Sequence, residues 1–280
     1  MSGRQALGRH LAGVLVLAAL VLQWPIGLTT SSSSHARRLV WSDEFDGPAG
    51  KRPNPANWSF STGGRWGNGK ELQCYTKRAR NASHDGRGNL RIVARRERHS
   101  CGGTGNRYTS ARIHTNDKRE FQYGVIKARM KIPPGHGIWP AFWTLGFDAE
   151  SRPWPDEGEI DILEVIGREP RVAQHHVHGA TASGDHWQVA RNRVGPAWHN
   201  DFHVYAIRWS EGRIEFRVDG VSHGAIDRTD LPATWSWPFD KPHYLLLNVA
   251  VGGPRSWPGA PDPGTRFPAS LLVDWVRVLQ

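Results

Sequence analysis

The stretch Asp156-Glu157-Gly158-Glu159-Ile160-Asp161-Ile162-Leu163-Glu164-Val165-Ile166-Gly167 constrains the fold more than any other part of the chain. Acid and β-branched residues alternate through Glu159, Ile160, Asp161 and Ile162. A period of two is a strand with its acids on one face. Strict alternation would next put Leu163 on the acidic face, yet the third acid is Glu164, one position late. A β-bulge inserts one such extra residue and would turn Glu164 back beside its partners. Ile160, Ile162, Leu163, Val165 and Ile166 crowd the acids. So apolar a strand is expected inside a sheet, with its acids open to a cleft. The alternative is a solvated acidic face on an edge strand.

Spacing then suggests chemistry. Glu159 and Glu164 would stand roughly 13 Å apart along the backbone, at ~3.3 Å per residue. Two long side chains leaning together close that gap to ~5.5 Å, the separation of a retaining glycosidase pair. Asp161 is too short to span the gap and is placed to hold one Glu by a hydrogen bond. Carboxyls this close cannot all ionise freely, so their pKa values should split.

The remainder of the chain supports an all-β reading. Leu39–Phe45, Asn89–Arg95, Gly124–Ile132, Tyr205–Trp209, Ile214–Val218, Tyr244–Val251 and Ser270–Val278 read as strands, and no stretch reads as a long helix. With 31 Gly, 19 Pro and 14 Trp, many short strands and regular turns mean a sandwich or barrel. The formal charge of +10 is scattered rather than clustered, which argues for surface charge over nucleic-acid binding. Residues 1–36 read as a secretory leader with a Ser-rich linker: Arg4 and Arg9, an apolar core from Leu11 to Leu22, and Ser34-His35-Ala36 as cleavage site. The alternative there is an uncleaved anchor over Leu11–Leu28. Residues 37–280 read as a single catalytic domain. Two cysteines in an exported chain suggest a Cys74–Cys101 disulfide, against two free thiols.

At the acidic strand the sequence resembles a known family. Glu159-Ile160-Asp161-Ile162-Leu163-Glu164 is similar to the signature of family 16 glycoside hydrolases, in the bulged form of laminarinases (endo-β-1,3-glucanases) rather than the unbulged form of lichenases. Further matches follow in family order. They are Trp41–Phe45, Gly63–Gln73, Gly137–Trp143, Asp201–Tyr205, Leu247–Gly253 and Val273–Val278.

The resemblance implies a β-jelly roll of two curved antiparallel sheets, with substrate in a cleft on the concave one. It implies a secreted, monomeric β-glucan hydrolase that needs no cofactor for catalysis, with Glu159 as nucleophile, Glu164 as acid/base, Asp161 orienting Glu159, and His178 as the histidine beside the acid/base. For substrate contacts it points to Trp66, Trp139, Trp143, Trp257, Asn68, Glu71, Asn248 and Arg112, although spacing alone does not place Arg112. Each Trp could equally be core; Gly and Pro around Trp66, Trp139 and Trp257 favour loops or strand ends. His176 and His178 share a strand face, opposite to His175, and such a pair could hold a metal, but no third ligand is marked. The resemblance also implies a structural Ca²⁺ at backbone oxygens near Glu44 and Gly88 and the Asp274 carboxylate. Alternatives are the same fold acting on a β-galactan or algal galactan, and a non-catalytic glucan-binding protein, which would generally lack the three acids.

Overall fold

The period-two segments become strands. A computed structural model describes residues 37–101, 104–147 and 153–280. The leader read from residues 1–36 lies outside the described residues. In chain order the strands are β1 (Leu39–Asp43), β2 (Ser59–Ser61), β3 (Gln73–Tyr75), β4 (Ala82–His84), β5 (Leu90–Cys101), β6 (Thr104–Ser110) and β7 (Arg112–His114). Then come β8 (Glu120–Phe121), β9 (Gly124–Lys131), β10 (Ile138–Gly146), β11 (Glu159–Glu164), β12 (Val172–Ala180), β13 (His186–Ala190) and β14 (Arg193–Val194). The chain closes with β15 (His203–Ser210), β16 (Arg213–Val218), β17 (Val221–Asp227), β18 (His243–Val251) and β19 (Ala269–Leu279). Among the described residues no helix is long and apolar enough to cross a membrane.

The fold is a two-sheet β-jelly-roll sandwich. One sheet runs β17-β16-β15-β9-β19-β5-β6-β3, with β1 on β19 and β4 on β5. The other runs β13-β12-β11-β10-β18-β7-β2, with β14 on β12 and β8 on β18. β3 and β6 pair in parallel, a departure from the antiparallel expectation. No tight hairpin joins these two strands, so nothing forces them antiparallel. The β16–β17 hairpin turns on Asp219 and Gly220, both at positive φ, as a two-residue turn matched to strand twist requires.

The core lies between the sheets. In β9, Ile126, Ala128 and Met130 point inward and are essentially unexposed, while Lys127, Arg129 and Lys131 point out. From the facing sheet come Phe142, Ile160, Ile162, Leu163, Leu245 and Leu247, all fully buried. Burying such a side chain contributes about 1.5–3 kcal/mol. This drive fixes the register of β11. Opposite β10, Ala141 faces Glu164, Phe142 faces Leu163 and Trp143 faces Asp161, so Ile162 is the extra residue of a bulge. Ile162 and Leu163 both enter the core, and the acids stay together on the far face.

Cys74 in β3 and Cys101 at the end of β5 form a disulfide with Cα atoms 5.9 Å apart, closing a sequence separation of 27. On the chain-entropy estimate a loop of this size contributes about 3–4 kcal/mol. Replacing both cysteines by alanine should lower the unfolding free energy by that order in a urea titration. A loss below about 1 kcal/mol would show that the loop is restrained by its packing alone.

Candidate active site

Gly158 sets the start of the acidic strand. Its φ of +80° is open to glycine, and a Cβ there would stand 2.7 Å from Pro238 Cγ. From this turn β11 carries Glu159, Asp161 and Glu164 along the floor of a cleft of about 850 Å³. Sheet register builds the rest of the floor. One rung runs Gln174, Glu164, Ala141, Asn248, Arg112 across β12, β11, β10, β18 and β7. Trp139 and Trp143 sit two positions before and two positions after Ala141 in β10 and so share its face.

Each acid has its own neutral or weakly basic partners. Trp154 Nε1 donates to Glu159 Oε2 at 2.7 Å. Trp139 Nε1 donates to Glu164 Oε1 at 2.9 Å, and His176 Nδ1 lies 2.7 Å from Glu164 Oε2. His178 Nε2 lies 3.0 Å from Asp161 Oδ2, and its Nδ1 meets His186 Nε2 at 2.9 Å. A side-chain hydrogen bond joins Glu159 to Asp161. Burial, and then the Asp161 charge, push Glu159 well above its ordinary value of 4.5. Asp161 is raised by burial first and by Glu164 second. The arrangement can supply a carboxylate and a proton-bearing carboxyl from one strand face.

The histidine pairing differs from the expectation for His178. It is His176 that touches Glu164, whereas His178 touches Asp161. In backbone register His178 faces Glu159 and His176 faces Asp161, and each ring leans one step along to the next acid. The sequence put both rings on one strand face without deciding whether it faces the cleft, and the lean depends on the bulge. Donor atoms of Asp161, His176 and His178 fall within 4.8 Å of one another, so the third ligand unmarked in the sequence is Asp161. Here these groups are engaged in the hydrogen bonds just described. His175 points to the opposite face, and burial pushes its ring down to about 3.

The aromatic wall includes most of the expected residues. Trp66, Trp139, Trp143 and Trp257 all line the cleft, as do Glu71, Arg112 and Asn248. Trp143 Nε1 donates to Asn248 Oδ1 at 2.7 Å, and Asn248 Nδ2 donates to Tyr75 Oη at 3.1 Å. Arg112 lies between the rings of Trp66 and Trp143, 4.7 and 4.6 Å from their centroids. Glu71 accepts from Gln73 at 2.5 Å, and burial raises its pKa. Asn68 is not brought in. With φ of 56° it belongs to the left-handed turn at Gly67–Asn68, is exposed, and lies outside the cleft lining. Trp154 and His186 were not singled out from the sequence as site contacts, and His176 was named only as the strand-face partner of His178. The available signal for Trp154 was its place between Pro153 and Pro155, just ahead of the acidic strand.

Of the residues expected at calcium, the two acidic side chains are paired with arginines. The Asp274 carboxylate accepts from Arg129 Nη1 at 2.6 Å. Glu44 is held by both Nε and Nη2 of Arg277, at 3.0 and 2.7 Å. The ideal Cβ direction of Gly88 has only Asp46 Oδ1 near it, at 3.8 Å. One oxygen of Asp274 is thus engaged by a guanidinium, while the expected ligands near Glu44 and Gly88 are backbone oxygens rather than side chains.

Known proteins of one family are similar to this chain over most of its length. The family model described as glycosyl hydrolases family 16 matches residues 68–277. The chain is 40% identical over 275 residues to a beta-glucanase of Rhodothermus marinus, covering 94% of this chain and 92% of that one. It is 34% identical to glucan endo-1,3-beta-glucosidase A1 of Niallia circulans, over 90% of this chain and 39% of that longer protein. The laminarinase catalytic domain of Thermotoga maritima superposes with a TM-score of 0.78 at 38% identity, covering 87% of this chain and 98% of that one.

The raised pKa of Glu159 makes a stability prediction. The folded state holds this proton more tightly than the unfolded chain does. That contribution is complete below the ordinary value of 4.5 and is lost as pH rises through the higher folded value. Glu159→Gln removes the ionisation cost, so its melting temperature at pH 7 should exceed that of the parent by about 2–4 °C, equivalent to about 1 kcal/mol. Below the ordinary glutamate range the gain should vanish. Calorimetry at both pH values checks this, and an equal gain at both would assign the effect to something other than ionisation.

Proposed function

The chain belongs to the glycosyl hydrolases of family 16, and on that premise we propose that it is a retaining endo-hydrolase of β-1,3 or mixed β-1,3-1,4 glucan. The observation that carries this reading is the bulged strand, with Glu159, Asp161 and Glu164 together on the floor of a tryptophan-lined cleft. Flat indole faces suit the C–H surfaces of sugar rings.

The reaction is a double displacement. Glu159, as carboxylate, attacks the anomeric carbon while Glu164 gives its proton to the departing oxygen. Trp154 occupies Oε2 of Glu159, which leaves Oε1 for the attack. Asp161 is joined to Glu159 by a side-chain hydrogen bond and orients it, and His178 steadies Asp161. In the second step Glu164 removes a proton from water, which attacks the glycosyl-enzyme and restores Glu159 with net retention. The His176 contact serves both states of Glu164. A neutral ring nitrogen accepts from the carboxylic acid, and a ring N–H donates to the carboxylate. All these steps use side chains of this chain. The leader-like composition of residues 1–36 supports export, and we read the working form as a monomer.

The protein should release reducing ends from β-1,3-glucan faster than from cellulose, xylan or agarose. Activity confined to a β-galactan would keep the mechanism and overturn the substrate. Glu164→Ala should lose about 10²–10⁴-fold on polymer, the usual worth of acid–base help, yet keep its first step on an activated aryl glucoside. Azide should then yield a β-glycosyl azide. An α-azide from Glu159→Ala is expected if Glu159 is the nucleophile, because direct attack inverts. A β-azide from Glu159→Ala would reverse the two roles.

A further inference from the structure

The bulge that gathers the acids needs a partner for its displaced backbone. In β12, His176 faces Asp161 and Gln174 faces Glu164. His175 alone therefore opposes both Ile162 and Leu163. A two-against-one mismatch of this kind takes backbone groups out of the ladder. Ile162 and His175 are both fully buried, so water does not replace the lost bond. Instead His175 Nδ1 lies 2.8 Å from the Ile162 carbonyl oxygen. A carbonyl only accepts, so Nδ1 carries the proton and donates.

The ring is fixed from its other side as well. With Nδ1 protonated, Nε2 of the neutral ring accepts, and His223 Nδ1 of β17 stands 2.9 Å away to donate. Phe216 stacks on the ring with centroids 5.0 Å apart and planes 20° from parallel. The backbone of His175 is tied to Asn192 Oδ1 at 3.3 Å and to Arg191 N at 2.9 Å. The bulge carbonyl is thus anchored, through one imidazole, to the opposite sheet.

We propose that His175 is a positioning residue for catalysis: by holding the Ile162 carbonyl it locks the bulge that keeps Glu164 on the same face as Glu159. The proposal rests on the reading of Glu159 and Glu164 as nucleophile and acid/base. A slip of one residue sends every following side chain to the other face. Smaller movements of the bulge displace Glu164 first, because it follows the bulge, while Glu159 precedes it.

The test compares His175→Leu with His175→Asn in the full chain. Leucine keeps apolar bulk and removes the donor; asparagine places an N–H near the position of ring Nδ1. With Leu, kcat on β-1,3-glucan should fall by about tenfold to a hundredfold, the scale of an ångström-level misplacement, with KM nearly unchanged. Asparagine should recover most of that loss. The Leu variant should lose much less on an aryl glucoside with a good leaving group in the glycosylation step, since that step does not need the Glu164 proton. Equal losses on both substrates, unchanged kcat, or no rescue by asparagine would overturn the proposal. A parent protein inactive on every glycoside would instead overturn the underlying reading of the acids. Should the Leu variant not fold, ¹⁵N spectra of histidine-labelled parent protein decide. His175 must be neutral with its proton on Nδ1, and a proton on Nε2 instead would refute the anchor.

Discussion

The bulge at Ile162 is the constraint from which the site follows. A regular strand would put Leu163 on the cleft floor and drive Glu164 into the space between the sheets. That space is filled by Phe142, Leu245, Leu247 and their neighbours. Placing a carboxylate there costs several kcal/mol, and exposing Leu163 forfeits about 2 kcal/mol more. A bulge costs at most a ladder hydrogen bond, worth about 1 kcal/mol net. The inequality is large, so hydrophobic burial selects the irregular strand, and His175 recovers the carbonyl left over. The same choice sets Glu164 on the rung of Asn248 and Arg112, which ties catalytic and binding groups to one register.

The choice of hydrogen-bond donor then tunes the acids. Arginine is abundant in this chain, and beside Glu44 and Glu97 it lowers the carboxyl pKa. Glu44 is lowered chiefly by Arg277, and Glu97 ends lowered once Thr109 and Arg78 outweigh burial. Glu159 receives an indole N–H instead and remains raised. A neutral donor orients a carboxylate without the Coulomb pull of a guanidinium, so burial and the neighbouring acid prevail. Arg112 is in the cleft, but it lies between the rings of Trp66 and Trp143, and its charge acts on Glu71, Tyr75, His114 and Tyr244.

Much of this was legible in the sequence where the information is local. Period-two alternation gave the strands, and Asp219-Gly220 marked its hairpin. The late arrival of Glu164 announced the bulge. What escaped depends on neighbours distant in sequence. Arg112 precedes the acids by too many residues for spacing to place it, and only the β7–β18–β10–β11 register joins them. Trp154 lies near Glu159 in sequence, but its indole direction is a property of the loop. His176 and His178 were read on one common face, yet whether it lines the cleft, and their division between Glu164 and Asp161, depend on sheet register and on how rings lean over a bulged neighbour. Asn68 was misplaced because a motif match carries no φ angle, and a left-handed turn sends the side chain outward.

The indoles join recognition to chemistry. Trp139 gives its N–H to Glu164, Trp154 gives its N–H to Glu159, and Trp143 gives its own to Asn248. A tryptophan whose N–H is bound has its ring plane fixed. Trp257 then packs edge-on against Trp139 at 5.4 Å and against His176 at 5.8 Å. The faces that would stack on sugar rings are therefore oriented by the same carboxyls that would break the bond between those rings. A substrate pressing on the Trp139 plane acts on the Glu164 hydrogen bond directly, and one pressing on Trp154 acts on Glu159. Such a network keeps reacting atoms and binding surfaces in a single geometry, with no separate scaffold between them.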